Sequence, residues 1–108
     1  MKKFEPMSES YYYILLCLAE GPNHGYGIMQ RAETLSGKEV IIGSGTMYGA
    51  TGNMIKKGWI QEIMSKEAGE ERRRLYCLTD AGREALEAET RRLKRMLANT
   101  EEVYHGRV

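Results

Sequence analysis

Apolar positions along this chain come in short helical stretches separated by glycine-bearing turns. From Ser8 to Glu20, the residues Tyr11, Tyr12, Tyr13, Ile14, Leu15, Leu16, Leu18 and Ala19 predict a first helix that is apolar nearly all round. Such a helix in a small domain must be covered on more than one side. Gly21-Pro22-Asn23 turns the chain. Asn23 is placed to cap a second helix, His24 to Leu35, with Tyr26, Ile28, Met29 and Ala32 on its buried side. Ser36-Gly37 ends it, and Val40-Ile41-Ile42 reads as one short strand.

The stretch Gly43 to Ile60, GSGTMYGATGNMIKKGWI, predicts a third helix and the entry to a strand. Ser44 can cap the helix, and Gly58 stops it as a C′ glycine does. Met47, Met54 and Ile55 mark its inward stripe, which leaves Tyr48, Thr51, Gly52, Asn53, Lys56 and Lys57 for the other faces. Trp59 to Ile63 predicts a strand, Ser65 to Glu71 a polar loop, and Arg72 to Leu78 a second strand. Leu75 and Cys77 fall on one face of that strand, Tyr76 and Leu78 on the other. Trp59 and Tyr76 are expected in the core.

Thr79 is a good N-cap for a long last helix reaching Tyr104. Leu86, Leu93, Leu97, Thr100 and Tyr104 form a seam along it, with Met96 beside them. Glu87, Glu89, Arg91, Arg92, Lys94 and Arg95 fill the wet faces. A helix this long on so small a domain needs a partner for its seam, most simply a second copy. The order helix, helix, helix, hairpin, long helix is mainly α with a small β-wing (α+β). It is the winged helix-turn-helix pattern: residues 1–78 as that unit and 79–108 as a dimerisation helix, in one compact whole.

Composition narrows the function classes. The chain has 108 residues, which bounds it to one domain, and 42% are hydrophobic, enough for a modest core. Net charge is +1, so any contact with nucleic acid must come from a local basic stripe. Cys17 and Cys77 lie in apolar runs without zinc-type spacing and read as reduced thiols, in keeping with a cytoplasm. No signal peptide is apparent, and the longest apolar run, Tyr11 to Ala19, is too short to span a bilayer. No metal set, phosphate loop or nucleophile constellation suggests an enzyme. His24 with Cys17 lacks a third group or an oxyanion-hole motif. No cofactor is expected.

The third helix is polar but uncharged in its first half, with small residues there and lysines at its end. That suits the major groove of double-stranded DNA. Thr51 and Asn53 are candidates for base edges; Lys56 and Lys57 would neutralise phosphates. His24 and Tyr26 open the second helix, whose terminal amides suit a phosphate. Arg72, Arg73 and Arg74 lie on the wing, where alternation forbids all of them from facing DNA equally. Glu67, Glu70 and Glu71 could pair with them instead.

Three stretches resemble the PadR-type transcriptional regulators. They are His24-Gly25-Tyr26-Gly27-Ile28; Gly45-Thr46-Met47-Tyr48 with Lys57-Gly58-Trp59-Ile60; and Arg74 to Gly82, which resembles the family's basic-x-Tyr-x-Leu-Thr-x-x-Gly passage. The single helix after the wing resembles the smaller PadR subfamily. The resemblance implies a homodimeric repressor on a palindromic operator, located in the cytoplasm on the bacterial nucleoid. It places Thr46 and Tyr48, with Ser44 nearby, at the phosphates or groove edge. It implies a dimer built from the first and last helices, so that Tyr11, Tyr12, Leu15, Leu86, Leu93, Met96 and Leu97 would form the interface. An apolar or aromatic effector could bind there. One departure stands out: Gly49 occupies the position where the family usually has proline. The competing expectation is a winged-helix module that binds protein and no DNA.

Overall fold

Ser8 sets the start of the first helix. Its backbone is extended, and its hydroxyl accepts the Tyr11 amide at 3.1 Å. In the computed structural model, which describes residues 5–64 and 74–105, α1 then runs Glu9–Ala19. Gly21, at φ +138°, makes the turn that follows. Next come a two-residue strand β1, Asn23–His24, and helix α2, Gly25–Leu35. Helix α3 is Ser44–Lys56, strands β2 and β3 are Ile60–Met64 and Arg74–Leu78, and α4 is Asp80–Tyr104. The three strands form one antiparallel sheet in the order β1-β3-β2. Three helices, a hairpin and a long last helix constitute a winged helix with a C-terminal extension.

Two local expectations change. His24, not Asn23, caps α2: its Nδ1 accepts the Gly27 amide at 3.1 Å. Asn23 instead pairs with Tyr76 in the sheet, and its side chain accepts the His24 amide at 2.9 Å. Val40-Ile41-Ile42 is no strand. It is an irregular segment in which Val40 and Ile42 point inward at 5% exposure while Ile41 is 71% exposed. Among the described residues no strand pairs with it, so alternation alone did not make a ladder.

The core joins every helix. Ile14, Leu15 and Leu18 of α1 pack with Ile28 and Ala32 of α2, Met47, Ala50 and Met54 of α3, Ile60, Tyr76 and Leu86. Leu15 is fully buried and Leu86 is 7% exposed, so both belong to the protomer's own core and leave the interface set. The Cys17 thiol donates to the Ile28 carbonyl, and burial pushes it above the usual thiol range. Among the described residues no helix is long and apolar enough to cross a membrane.

Glu89 was expected on a wet face and is instead 5% exposed. Its carboxylate takes two hydrogen bonds from Arg92, at 2.7 and 2.8 Å, and one from the Met7 amide at 3.0 Å. It thereby fastens the segment before α1 to α4. Beside it the Tyr12 hydroxyl shares a 2.9 Å hydrogen bond with Thr90. The Arg92 guanidinium holds the Glu89 carboxyl below its ordinary value of 4.5, helped by the Met7 amide and opposed by burial. A carboxyl whose pKa is lower folded than unfolded stabilises the fold above its unfolded pKa. That contribution fades as pH falls through the folded one. Urea midpoints measured downward from pH 7 should therefore drop below about pH 4.5. Glu89→Gln should cost about 1–2 kcal/mol at neutral pH and flatten that part of the curve. An unchanged acid limb in the variant would mean the latch carries no stability.

Candidate nucleic-acid interface

Helix α3 begins without a side-chain cap. Gly43 is the N-cap and is extended at φ −76°, ψ 161°, and no side chain bonds the first turn. Ser44, expected as the cap, is instead the first helical residue and is exposed. The first intrahelical bond runs from the Met47 amide to the Gly43 carbonyl at 2.9 Å. The amides of Ser44, Gly45 and Thr46 precede it and are left for an outside acceptor, with the positive end of the helix dipole behind them.

The outer face of α3 is built for close approach. Gly45, Gly49 and Gly52 lie along one line of the helix, and a Cβ placed on any of them would meet nothing within 4 Å. Tyr48, at 74% exposure, stands beside this strip. Thr46, Asn53, Lys56 and Lys57 are exposed as well. At the other end Gly58, at φ +76°, closes the helix as expected. The Lys57 ammonium lies 5.1 Å from the centre of the Trp59 ring, a weak contact at an exposed site that leaves Lys57 available to an anion.

Thr51 leaves the candidate set. It is 3% exposed, and its hydroxyl donates to the Tyr48 carbonyl at 3.1 Å, so it reaches no groove. Ile55, expected inside, is 40% exposed. The buried face is Met47, Ala50, Thr51 and Met54; both methionines point inward as expected, and the face is centred about 30° further from Ile55. Asn53 keeps its exposure, but its amide donates to the Tyr11 hydroxyl at 2.9 Å.

The second helix contributes at its start. Tyr26 is 62% exposed, and it lines a groove of about 450 Å³ together with Ile41, Gly43 and Ser44. It therefore sits beside the open end of α3. The His24 side chain is committed to its cap through Nδ1. On the wing, Arg74 pairs with Glu62 across the strands at 3.0 Å; both side chains are largely exposed, so the pair adds little stability. Arg72 and Arg73, with Glu67, Glu70 and Glu71, lie outside the described residues.

The α1–α4 side is a separate surface. Tyr11, Tyr12 and Tyr13 are half-buried, and the rings of Tyr12 and Tyr13 meet edge to face with centroids 6.3 Å apart. Met7, Tyr12, Tyr13, Glu89, Arg92 and Leu93 line a cleft of about 340 Å³. Leu93, Met96 and Leu97 are 37%, 40% and 55% exposed, an apolar stripe that the described residues cover only in part.

Comparison with known proteins gives this arrangement its context. A 37.1 kDa protein in transposon TN4556 of Streptomyces fradiae is 39% identical over 83 residues, which is 77% of this chain and 22% of that protein. The chain thus spans about a fifth of that relative's length. A PadR family transcription regulator from Clostridium difficile superposes with a TM-score of 0.73 at 26% identity, covering 92% of this chain and all of its own. Bacillus subtilis PadR, solved in complex with operator DNA, gives a TM-score of 0.66 at 24% identity, over 77% of this chain and 47% of its own. Residues 14–88, from the core of α1 to the first turns of α4, match the family described as transcriptional regulator PadR-like, and the chain belongs to that family.

Proposed function

We propose that this chain is a homodimeric, sequence-specific DNA-binding repressor that acts in the cytoplasm on a palindromic operator. The observation that carries the reading is the outer face of α3. It has an uncapped N-terminus, a glycine strip open to close approach, and Tyr48 and Lys56 on its flanks. The amides of Ser44, Gly45 and Thr46 and the hydroxyls of Thr46, Tyr26 and Tyr48 would hold phosphates. Lys56, Lys57 and the wing arginines Arg72 and Arg73 would add positive charge. Fold likeness to a PadR solved with operator DNA supports the same use of α3 here. The exposed stripe on α4 would meet its copy in a second protomer. The cleft between Tyr12, Tyr13 and Leu93 would accept an apolar or aromatic effector.

The test is a titration of the full chain on DNA from its own promoter, repeated across salt. Selective binding should weaken steeply as salt rises, the slope counting the phosphates contacted. Lys56→Glu with Lys57→Glu should lower affinity by about tenfold or more, largely irrespective of sequence, and reduce the slope by about 2. Equal, weak binding to all sequences, unchanged by both substitutions, would favour the protein-interaction module.

A further inference from the structure

We infer that Tyr11 and Asn53 form a positioning pair that holds the recognition helix to α1, and that Asn53 acts through this link rather than by reading a base. The link between the helices stands without DNA; its effect on the operator rests on the function proposed above.

Helix α3 has weak intrinsic reasons to hold its shape and place. It carries Gly45, Gly49 and Gly52, each costing about 1 kcal/mol of helix propensity relative to alanine. No side chain caps its start. Its buried face has only Met47 and Met54 as large apolar anchors, both flexible side chains that tolerate some rotation of the helix. Under those conditions a directional contact on its flank has unusual leverage over its orientation.

The Asn53 amide supplies that contact. It donates to the Tyr11 hydroxyl at 2.9 Å across 42 residues of chain. Among the described residues this is the one side-chain hydrogen bond from α3 to another helix. It forms one wall of a cleft of about 230 Å³ that Met7, Ser8, Lys57 and Trp59 also line. The contact therefore sits where the segment before α1 meets the end of α3. The other end of that segment is fixed, since the Met7 amide is held by Glu89 on α4. A continuous path of bonded groups thus runs from α4 through Met7 and α1 to Asn53. Any rearrangement of α1 against α4 reaches the recognition helix at this point.

An amide engaged in this way is poorly placed to make the paired contact with adenine that a free asparagine makes. The two roles predict different variant behaviour. Tyr11→Phe removes only the acceptor; Asn53→Val, matched to asparagine in helix propensity, removes only the donor; the double variant removes nothing further. In the free full-length protein, hydrogen exchange across residues 50–57 should rise about fivefold in each variant and no more in the double. Operator affinity should fall by a similar factor of about five in all three, measured well below the melting temperature. The salt slope should stay unchanged because no phosphate contact is lost. Discrimination among operators with single-base changes should also be retained.

Unchanged exchange in Tyr11→Phe would overturn the link itself. Raised exchange with unaltered operator affinity would make the bond structural only. Loss of discrimination at one base pair in Asn53→Val, with Tyr11→Phe silent, would return Asn53 to base reading. If the parent protein selects no DNA while exchange responds as expected, the operator function and the positioning role on it both fall, and only the helix link survives.

Discussion

Gly82→Ala is expected to destabilise the fold by about 3 kcal/mol and lower the melting temperature by about 15 °C. On helix propensity alone the change should gain about 1 kcal/mol, because Gly82 lies within the first turn of α4 and its φ is negative. Packing reverses the sign. A Cβ there would run into the Trp59 carbonyl oxygen and lie 2.8 Å from the Leu78 side chain. The Leu78 side chain can turn aside, but the Trp59 backbone cannot. The Trp59 carbonyl accepts the Thr79 amide at 3.0 Å, and Thr79 caps α4 by accepting the Gly82 amide, also at 3.0 Å. The same threonine hydroxyl donates to the Gly58 carbonyl, just after the recognition helix. Moving α4 outward would undo the junction between α3, the sheet and α4 in one step. Gly49→Ala is the matched comparison: it meets open space in α3 and should raise stability by about 1 kcal/mol. Thermal or urea unfolding of the pair decides the matter. Stabilisation by both substitutions would mean the junction is looser than described.

The elements were legible because each long helix is an apolar run or stripe with its own start or stop signal. Ser8, Gly58 and Thr79 work locally, through bonds within about three residues, so sequence alone identifies them. Helix α3 was located correctly with its two methionines inward, yet the flank of its buried face was assigned to Ile55 instead of Ala50 and Thr51. With only Met47 and Met54 as large apolar residues, its hydropathy has little power to fix the rotation. Ala50 and Thr51 face the core because small side chains permit a close approach, and close approach leaves no mark in a hydrophobic pattern. Glu89 was illegible for a different reason. Its partner Met7 lies 82 residues away, and nothing near Glu89 in the chain distinguishes it from its solvated neighbour Glu87. The two-residue strand β1 carries no periodic signal; only its pairing with β3 reveals it.

The interface set failed at Leu15 and Leu86 in an instructive way. Leu86, Leu93 and Leu97 belong to one stripe of α4, as the spacing predicted. Its first part is buried in the protomer's own core, and its later part, Leu93 to Leu97, is only partly covered by the described residues. A sequence pattern records that a stripe is apolar and is silent on where the cover changes hands. The stripe's later part lies where α4 extends past the core. A chain of this length packed as a sphere-like domain would have a radius of gyration of about 13 Å, whereas this one has 15.8 Å.

In the proposed dimer, Leu93→Glu with Leu97→Glu is expected to give a folded monomer with operator affinity reduced by about a hundredfold or more. Both side chains are at least 37% exposed, so the protomer's core loses little and its helical content should persist. Two such charges on each copy would place four carboxylates along one apolar seam, a cost that dimer association would not survive. The loss on DNA then follows from linkage. A joined second protomer meets its half-site at millimolar effective concentration; a separate one must bind independently. Sedimentation or light scattering gives the mass, and circular dichroism confirms the fold. A dimer that persists in the variant would move the interface off the α4 stripe. A folded monomer with undiminished operator affinity would show that one α3 suffices, and the palindrome would go with the seam.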